Sequence, residues 1–346
     1  MAGATGGRDG RPLLLLTMGD PAGIGPEISL TAAASAAVRR VARPVVVGDA
    51  VVLSHAADAL AQARGALPIA LDVVARPGEA RLLPGRVDVI DLANVDAGAF
   101  AWGTLSADLG RAGYEYLAEA TRLALAGEAD ALVTAPIQKE AWHLAGVPAI
   151  GHTEALQALS GASDSVTMFV AGSLRTFFYT RHLPLGEAVR RIREAGPDAL
   201  ARFLQLADGL LAGLGAERRR IALAALNPHA GENGLLGAEE GEVLAPAVER
   251  ARAAGVDAAG PIPADSVYHQ ALQGRWDAVV SLYHDQGHIA TKTLAFERTV
   301  SVTLALPFLR TSVDHGTAFD IAGTGSASAV SMEEACLVAA RYVTRS

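Results

Sequence analysis

Short apolar runs alternate with longer amphipathic segments along all 346 residues of this chain. Leu109, Tyr116 and Leu123 show the helical spacing most clearly, and the length is sufficient for two domains of ordinary size. Alternating strands and helices predict an α/β fold with mainly parallel sheets. The predicted strands are 13–17, 44–47, 87–92, 131–134, 167–171, 221–226, 278–281 and 300–304.

The order of these runs predicts two α/β/α domains, with a change of domain near Pro136 and a return after Pro307. In such folds, binding and catalytic groups gather on loops at the carboxyl ends of the strands. Nearly every polar motif of this chain follows a predicted strand. We expect a flexible tail over 1–12, a discontinuous first domain over 13–135 and 306–346, and a second domain over 136–305.

The charge balance and the single cysteine exclude several classes of protein. A net charge of −8 gives no basic bias, so no nucleic-acid partner is expected. Cys336 cannot form an intramolecular disulfide, and its apolar surroundings predict a buried structural thiol. No apolar run is long enough to span a membrane, and 1–12 lacks the apolar segment of a signal peptide. We therefore expect a cytoplasmic protein that does not enter membranes.

A glycine-rich segment, 18–27, directly follows the first predicted strand. Its three glycines permit a tight turn, and Pro26 suits the first turn of a helix. The amino terminus of that helix could attract an anion, but a plain strand-to-helix turn is an equally good interpretation. The spacing of the glycines differs from the Gly-x-Gly-x-x-Gly fingerprint of a Rossmann domain.

Three of the nine histidines lie in dense polar settings near strand ends, namely His182, His229 and His284. Three imidazoles from different strand ends can converge on one cation and leave positions open for a substrate. Taken singly, each of them is more typical of a hydrogen-bonded loop histidine. Three imidazoles suit zinc, although a site completed by substrate oxygens would also accept Mn, Co, Ni or Mg.

His288 follows His284 by four residues, which on a helix would place both rings on one face. Gly287 and the polar pair before it predict a loop here instead of a helix. No glutamate follows His284 as it does in zinc proteases. A local two-histidine metal clamp is therefore not expected.

Further polar residues stand beside apolar segments. His152 and Thr153 precede a predicted helix, where Thr153 could also serve as a cap. Lys292 and Arg310 flank the strand 300–304, so their cations could bind a phosphate or a carboxylate, although solvated surface charges are the simpler interpretation. The Gly/Ser/Thr-rich run after Arg310 is unusual unless it binds a ligand or turns tightly.

Together these motifs resemble the PdxA family, the 4-hydroxythreonine-4-phosphate dehydrogenases, over almost the whole chain. The first and last motifs also resemble those of the isocitrate and isopropylmalate dehydrogenases. That likeness implies their fold, which lacks a Rossmann fingerprint and holds the active site in the interdomain cleft. The motifs lie, in this order, at 19–27, 151–154, 227–232, 263–265, 283–287 and 310–317.

The resemblance assigns roles to individual residues. It implies that His182, His229 and His284 are the metal ligands, in a site shared across a homodimer. It implies that NAD, or alternatively NADP, is the cofactor. Ser301 stands where the family commonly has an asparagine that contacts substrate. The implied substrate contacts are His152, Thr153, Lys292, Ser301 and Arg310. The implied cofactor contacts are Asp314, His315, Gly316, Thr317 and Asp320. The candidates for proton transfer or orientation are Asp265, Asp285 and Lys292.

The resemblance also implies the reaction, which is oxidation and decarboxylation of a 4-phosphorylated hydroxy acid. The expected substrate is 4-phosphohydroxy-L-threonine, in pyridoxal phosphate biosynthesis. An alternative is 4-phospho-D-threonate or 4-phospho-D-erythronate in sugar-acid catabolism, because the run 284–289 is more similar to those catabolic relatives. An acyltransferase of the phosphate acetyltransferase type is a weaker hypothesis, since it leaves three strand-end histidines unexplained. A non-catalytic binder of phosphorylated acids is weaker because the sequence shows no secretion signal, which is expected of a periplasmic binder.

Overall fold

Strands and helices alternate throughout residues 10–344, the part of the chain that this computed structural model describes. Residues 1–9 of the predicted tail lie outside that range. The strands are β1 (Leu13–Thr17), β2 (Arg43–Gly48), β3 (Ala70–Val73), β4 (Arg86–Asp91), β5 (Ala131–Thr134), β6 (Val166–Ala171), β7 (Leu174–Phe178), β8 (Ile221–Ala224), β9 (Ala258–Ile262), β10 (Ala278–Ser281), β11 (Val300–Leu304) and β12 (Leu309–Ser312).

The helices confirm the predicted α/β class. Within 10–344, none of them combines the length and the apolar character needed to cross a membrane. They are α1 (Gly25–Ala34), α2 (Ala36–Val41), α3 (Ala50–Arg64), α4 (Ala107–Leu125), α5 (Lys139–Leu144), α6 (His152–Ser160), α7 (Leu185–Gly213), α8 (Ala245–Ala253), α9 (Ala264–Leu272), α10 (His284–Ala295) and α11 (Val330–Val343). The helix α7 is kinked at Gly196, which precedes Pro197.

Contacts divide the chain into two compact units, residues 10–165 with 300–344 and residues 166–299. The sequence-based boundaries were 136 and 305, so the segments 136–165 and 300–305 lie in the first unit instead of the second. Burial explains the difference, because α5 and α6 pack against α4 and the side chain of Trp142 is only 1% exposed. Polar residues at the surface of this segment concealed that packing in the sequence.

The first unit contains a sheet with the strand order β3-β4-β2-β1-β5-β12-β11. Its pairs are parallel except for β11 with β12. The leucines of β1 are buried on both faces, which is why this strand has a continuous apolar sequence instead of an alternating one. Helix α4 buries Leu109, Tyr116 and Leu123 as their spacing predicts.

The second unit contains a sheet with the strand order β6-β7-β10-β8-β9. Strands β6 and β7 form an antiparallel hairpin, and the remaining pairs are parallel. Leu174, Ala222, Val267 and Val279 belong to its buried core. Because β7, β10 and β8 are parallel neighbours, the segments that follow them emerge at one edge of the sheet. That edge carries the three histidines singled out in the sequence.

The predicted loop after β10 is wrong, because α10 begins at His284. The buried amide of Gln286 accepts from Leu282 N at 2.7 Å and donates to Ala225 O at 2.7 Å. Gly287 permits close packing, since a Cβ there would lie 2.5 Å from the Phe178 ring. Gln286 and Gly287 thus anchor the helix to the sheet instead of ending it.

We expect Gly287→Ala to destabilise the protein by about 1–3 kcal/mol, since the added methyl group would overlap the Phe178 ring and Ser281 Oγ. Helix propensity alone predicts the opposite sign, a gain of about 1 kcal/mol. Gly209 lies in α7 with open space around its Cα, so Gly209→Ala is the matched control and should stabilise. Urea unfolding of both variants measures the two free energies.

Candidate functional site

His182 and His284 lie together at the edge of the second sheet. Their ring centroids are 5.8 Å apart. Both line a cavity of about 340 Å³, here called the histidine cavity, together with Arg181, Tyr283 and Asp285. The remaining residues of this lining are Leu183, Pro184 and Leu185. Two imidazoles that face one cavity provide nitrogen donors of the kind that transition-metal ions prefer.

The tautomer of His284 is set by its neighbour Asp285. The distance from His284 Nδ1 to Asp285 Oδ1 is 2.7 Å, so Nδ1–H donates to the carboxylate and Nε2 keeps its lone pair. Carboxylates hold metal-binding histidines in this way in many sites. His288 stacks on His284 at 3.9 Å, and burial, followed by repulsion from His284 when that ring is protonated, lowers the pKa of His288 to about 4.

His229 lies on an unusual turn, Pro228–Gly234, after β8. Residues 229–233 all have φ between 45° and 80°, the left-handed region. The side chain is exposed. Within residues 10–344, no three or more His, Cys, Asp or Glu side chains are arranged to hold a metal ion. The structure therefore brings His182 and His284 together, while the complete three-histidine site stays a prediction.

A buried cation occupies the carboxyl end of the first sheet. Arg310 of β12 is 5% exposed and donates from Nε and Nη2 to Thr134 Oγ1, at 3.1 and 2.7 Å, and from Nη1 to Thr303 Oγ1 at 3.0 Å. Ser312 Oγ lies 3.0 Å from Thr134 Oγ1. We call these four residues the arginine cluster. Burial lowers the pKa of Arg310, and no salt bridge joins it to a carboxylate of the described chain.

His152, the first residue of α6, contributes an unsatisfied imidazole to the same unit. Its Nε2 is enclosed and has no hydrogen-bond partner among residues 10–344. Burial, and then the charges of Arg310 and Lys139, hold its pKa well below the usual range, so the ring is neutral. A buried nitrogen without a partner is costly. An anionic group near Arg310 would satisfy it, and Thr153 follows in the first turn of α6.

Three further predicted site residues lie on α9, α10 and β11. The ammonium of Lys292 is 5.4 Å from the centroid of the Phe296 ring, on α10. Asp265 is exposed in the first turn of α9. Ser301 of β11 stands opposite Ser312 in the antiparallel pair with β12 and shares its strand with Thr303, which places it beside the arginine cluster. Their catalytic and binding roles stay predictions.

The predicted cofactor stretch packs against the glycine-rich turn that follows β1. Thr317 O accepts from Ile24 N at 2.9 Å, and a Cβ on Gly23 would lie 2.9 Å from Thr317 Cβ. His315 Nδ1 lies 3.0 Å from Gly316 O, and its Nε2 lies 2.8 Å from Ser331 Oγ. The other predicted cofactor contacts are Asp314, which is half-buried, and Asp320, which is exposed. Gly316 has open space around it, as a close ligand would require.

Asp20 is a buried acid that the sequence-based reasoning did not single out. Its Oδ1 accepts from Ala22 N at 2.9 Å, whereas Oδ2 is enclosed without a partner among the described residues. Burial raises its pKa from 3.8 to about 6, against the opposing hydrogen bonds from the Ala22 and Gln138 backbones. Its position in the sequence could have indicated a functional role. Asp20 follows β1 and Thr134 ends β5, so both lie at the carboxyl ends of parallel neighbouring strands, where binding groups gather.

We expect Asp20→Asn to remove a pH dependence of stability. The raised pKa means that the folded state holds this proton more tightly, so the native protein loses stability as pH rises from about 4 to about 6. The full loss, complete near pH 7, is about 3 kcal/mol. The free energy of unfolding of the variant, minus that of the wild type, should therefore rise across this range. Exposed Asp58→Asn is the control, and an equal rise there would contradict the assignment.

The chain is similar to a known protein family and to a curated relative over most of its length. The family model described as "Pyridoxal phosphate biosynthetic protein PdxA" matches residues 40–339. A curated relative from Symbiobacterium thermophilum, named "Putative D-threonate 4-phosphate dehydrogenase", is 49% identical over 334 residues, covering 96% of this chain and 97% of the relative.

Crystal structures of two 4-hydroxythreonine-4-phosphate dehydrogenases are also similar. The one from Klebsiella pneumoniae has a TM-score of 0.87 and 39% identity, and the match covers 97% of this chain and 99% of that one. The one from Burkholderia phymatum has a TM-score of 0.83 and 41% identity, with 96% and 98% covered. The family predicted from the sequence is confirmed: this chain belongs to the PdxA family.

Proposed function

We propose that this chain catalyses the NAD-dependent oxidation and decarboxylation of a 4-phosphorylated four-carbon hydroxy acid, with D-threonate 4-phosphate as the preferred substrate. The observation that carries the proposal is the pairing of His182 and His284 across one cavity, in a chain 49% identical to a relative named for that activity. Homodimer assembly stays a prediction from the family resemblance, and the preference for zinc stays a prediction from the three imidazoles.

The arginine cluster supports an anionic substrate, and the name of the Symbiobacterium thermophilum relative favours a 2-hydroxy acid over a 2-amino acid. The partners of Arg310 are the hydroxyls of Thr134 and Thr303, and among residues 10–344 no carboxylate forms a salt bridge with it. A cation in this setting attracts a phosphate or a carboxylate, which all the candidate substrates carry. The crystal structures named for 4-hydroxythreonine-4-phosphate keep 4-phosphohydroxy-L-threonine as the second candidate.

Metal binding and proton transfer would fall to different side chains of the second unit. His182, His229 and His284 would hold a divalent ion, with Asp285 keeping His284 Nε2 available for it. When bound, such an ion supplies Lewis acidity, which lowers the pKa of an alcohol and stabilises negative charge on a carbonyl oxygen. Asp285 is also a candidate acceptor for the alcohol proton, as are Asp265 and Lys292.

Binding of the anionic groups falls to other side chains. Arg310 would donate paired hydrogen bonds to a carboxylate or a phosphate, and the neutral His152 would satisfy its enclosed Nε2 on the same kind of group. The segment 314–320 would hold NAD, which when bound would supply a hydride acceptor for oxidation of the carbon that bears the hydroxyl. The resulting β-keto acid loses carbon dioxide, and the carbanion that remains is protonated.

Steady-state NADH formation tests the proposal on D-threonate 4-phosphate, D-erythronate 4-phosphate and 4-phosphohydroxy-L-threonine. The enzyme would first be stripped with a chelator and then reconstituted separately with Zn, Mn, Co, Ni or Mg. We expect kcat/KM for D-threonate 4-phosphate to exceed that for the 2-amino substrate by at least about 10-fold. The reverse order would favour the second candidate, and no NADH from any substrate with any metal would overturn the proposal.

A further inference from the structure

We propose that Glu240 is a positioning residue for His229, because its buried carboxylate fixes the left-handed turn that presents this histidine. The inference rests on the proposed function, in which His229 is a metal ligand. Glu240 itself would touch neither substrate nor metal. It acts through the backbone of the segment between β8 and the turn.

The contacts of Glu240 involve both of its oxygens. Its Oε1 accepts from Leu226 N at 2.9 Å and from Asn227 N at 2.7 Å. Its Oε2 accepts from Asn227 Nδ2 at 2.8 Å. The residue is 5% exposed, so these bonds compete little with water. Three charge-assisted bonds therefore fix the two residues that lead into the turn.

The turn itself requires such support. His229, Ala230, Glu232 and Asn233 all adopt positive φ, between 45° and 56°, which is unfavourable for residues that carry a Cβ. Backbone of this kind persists only where the surrounding structure determines it, and it concentrates at functional sites. Gly231, in the middle of the turn, packs so closely on Glu240 that a Cβ there would lie 2.8 Å from Oε2.

A second acid reinforces the same anchor. Glu239 is also 5% exposed, and its Oε2 lies 2.8 Å from Asn227 Nδ2. Arg193 forms a salt bridge with Glu239. The π-helical turn Glu240–Leu244 begins at this point, and such turns are frequent beside functional sites. The start of a helix does not require two buried carboxylates that accept from the same asparagine side chain. We therefore infer that Glu239 and Glu240 stabilise the turn that follows Asn227.

The test measures metal binding, because a residue with only a structural role would not change it selectively. In Glu240→Gln, the new amide nitrogen cannot accept from Asn227 Nδ2, so the anchor is weakened while the volume is kept. We expect Co²⁺ or Zn²⁺ affinity to fall by about 10- to 100-fold, as for other residues that orient metal ligands. The visible absorption of bound Co²⁺ should change with it, while the melting temperature of the metal-free protein changes little. Exposed Glu242→Gln is the control and should bind as the wild type does.

A double-mutant cycle with His229→Ala decides whether the effect passes through His229. We expect Glu240→Gln to have no further effect on metal affinity in the His229→Ala background. Additive losses would overturn the inference, as would wild-type affinity in Glu240→Gln while His229→Ala loses the metal. Wild-type affinity in His229→Ala itself would instead overturn the proposed ligand. If Glu240→Gln does not fold, Glu240→Asp, which keeps the carboxylate, serves in the same cycle.

Discussion

His284→Ala is expected to lower kcat/KM for the phosphorylated hydroxy acid by about 10³-fold or more and to remove the bound metal. Lewis-acid stabilisation of a developing charge is worth several kcal/mol, and each step of about 1.4 kcal/mol is a factor of ten in rate. The variant loses one of two imidazoles in the histidine cavity and leaves Asp285 without its Nδ1–H donor. Metal content by elemental analysis and steady-state kinetics measure the two effects.

Stability should change little in this variant, because His284 is only half-buried and its partner Asp285 is exposed. His269→Ala is the matched control, since His269 is an exposed histidine on α9 of the same unit. We expect wild-type metal content and activity from it. Full metal occupancy together with full activity in His284→Ala would contradict the assignment of the histidine cavity.

Much of the fold could be predicted from the sequence because burial on both faces of a strand leaves a direct signal. The strands β1, β5, β10 and β11 begin and end where the apolar runs do. Strands with mixed surroundings lacked that signal. The strand β12 carries Arg310 among polar neighbours, and β9 contains Gly260-Pro261, so both have the composition of loops.

Local sequence also could not predict conformations that tertiary contacts determine. Gly287 is typical of a break in a helix, yet close packing against Phe178 makes it necessary within one. The left-handed turn that carries His229 depends on Glu240, which lies eleven positions further along the chain, counted in the printed sequence. The positions of the three histidines after strands were therefore predictable, whereas the orientation of His229 was not.

The surroundings of the charged site residues also depend on tertiary contacts that local sequence could not predict. Lys292 and Arg310 were paired as cations because both stand near strand 300–304, but the structure gives them different surroundings. Arg310 is enclosed by hydroxyls, whereas Lys292 lies over the ring of Phe296. The raised pKa of Asp20 likewise follows from burial, which its sequence neighbours do not reveal.

Arg310→Met should weaken substrate binding strongly without destabilising the ligand-free protein. Removing a buried donor pair from an anionic group costs about 2–5 kcal/mol, so we expect KM to rise and kcat/KM to fall by roughly 10²- to 10³-fold. The free energy of unfolding of the ligand-free protein, in contrast, should not decrease. A buried cation whose hydrogen-bond partners, within the described part of the chain, are hydroxyls carries a desolvation cost, which the apolar side chain of similar length removes.

Substrate kinetics and thermal unfolding of the ligand-free protein measure both effects of Arg310→Met. Arg111→Met, on the exposed face of α4, is the control and should change neither. Unchanged KM, or a large fall in the melting temperature, would make Arg310 a structural residue. A rise in KM with retained stability would instead mean that the hydroxyls around Arg310 orient a cation whose true partner is the anionic group of the substrate.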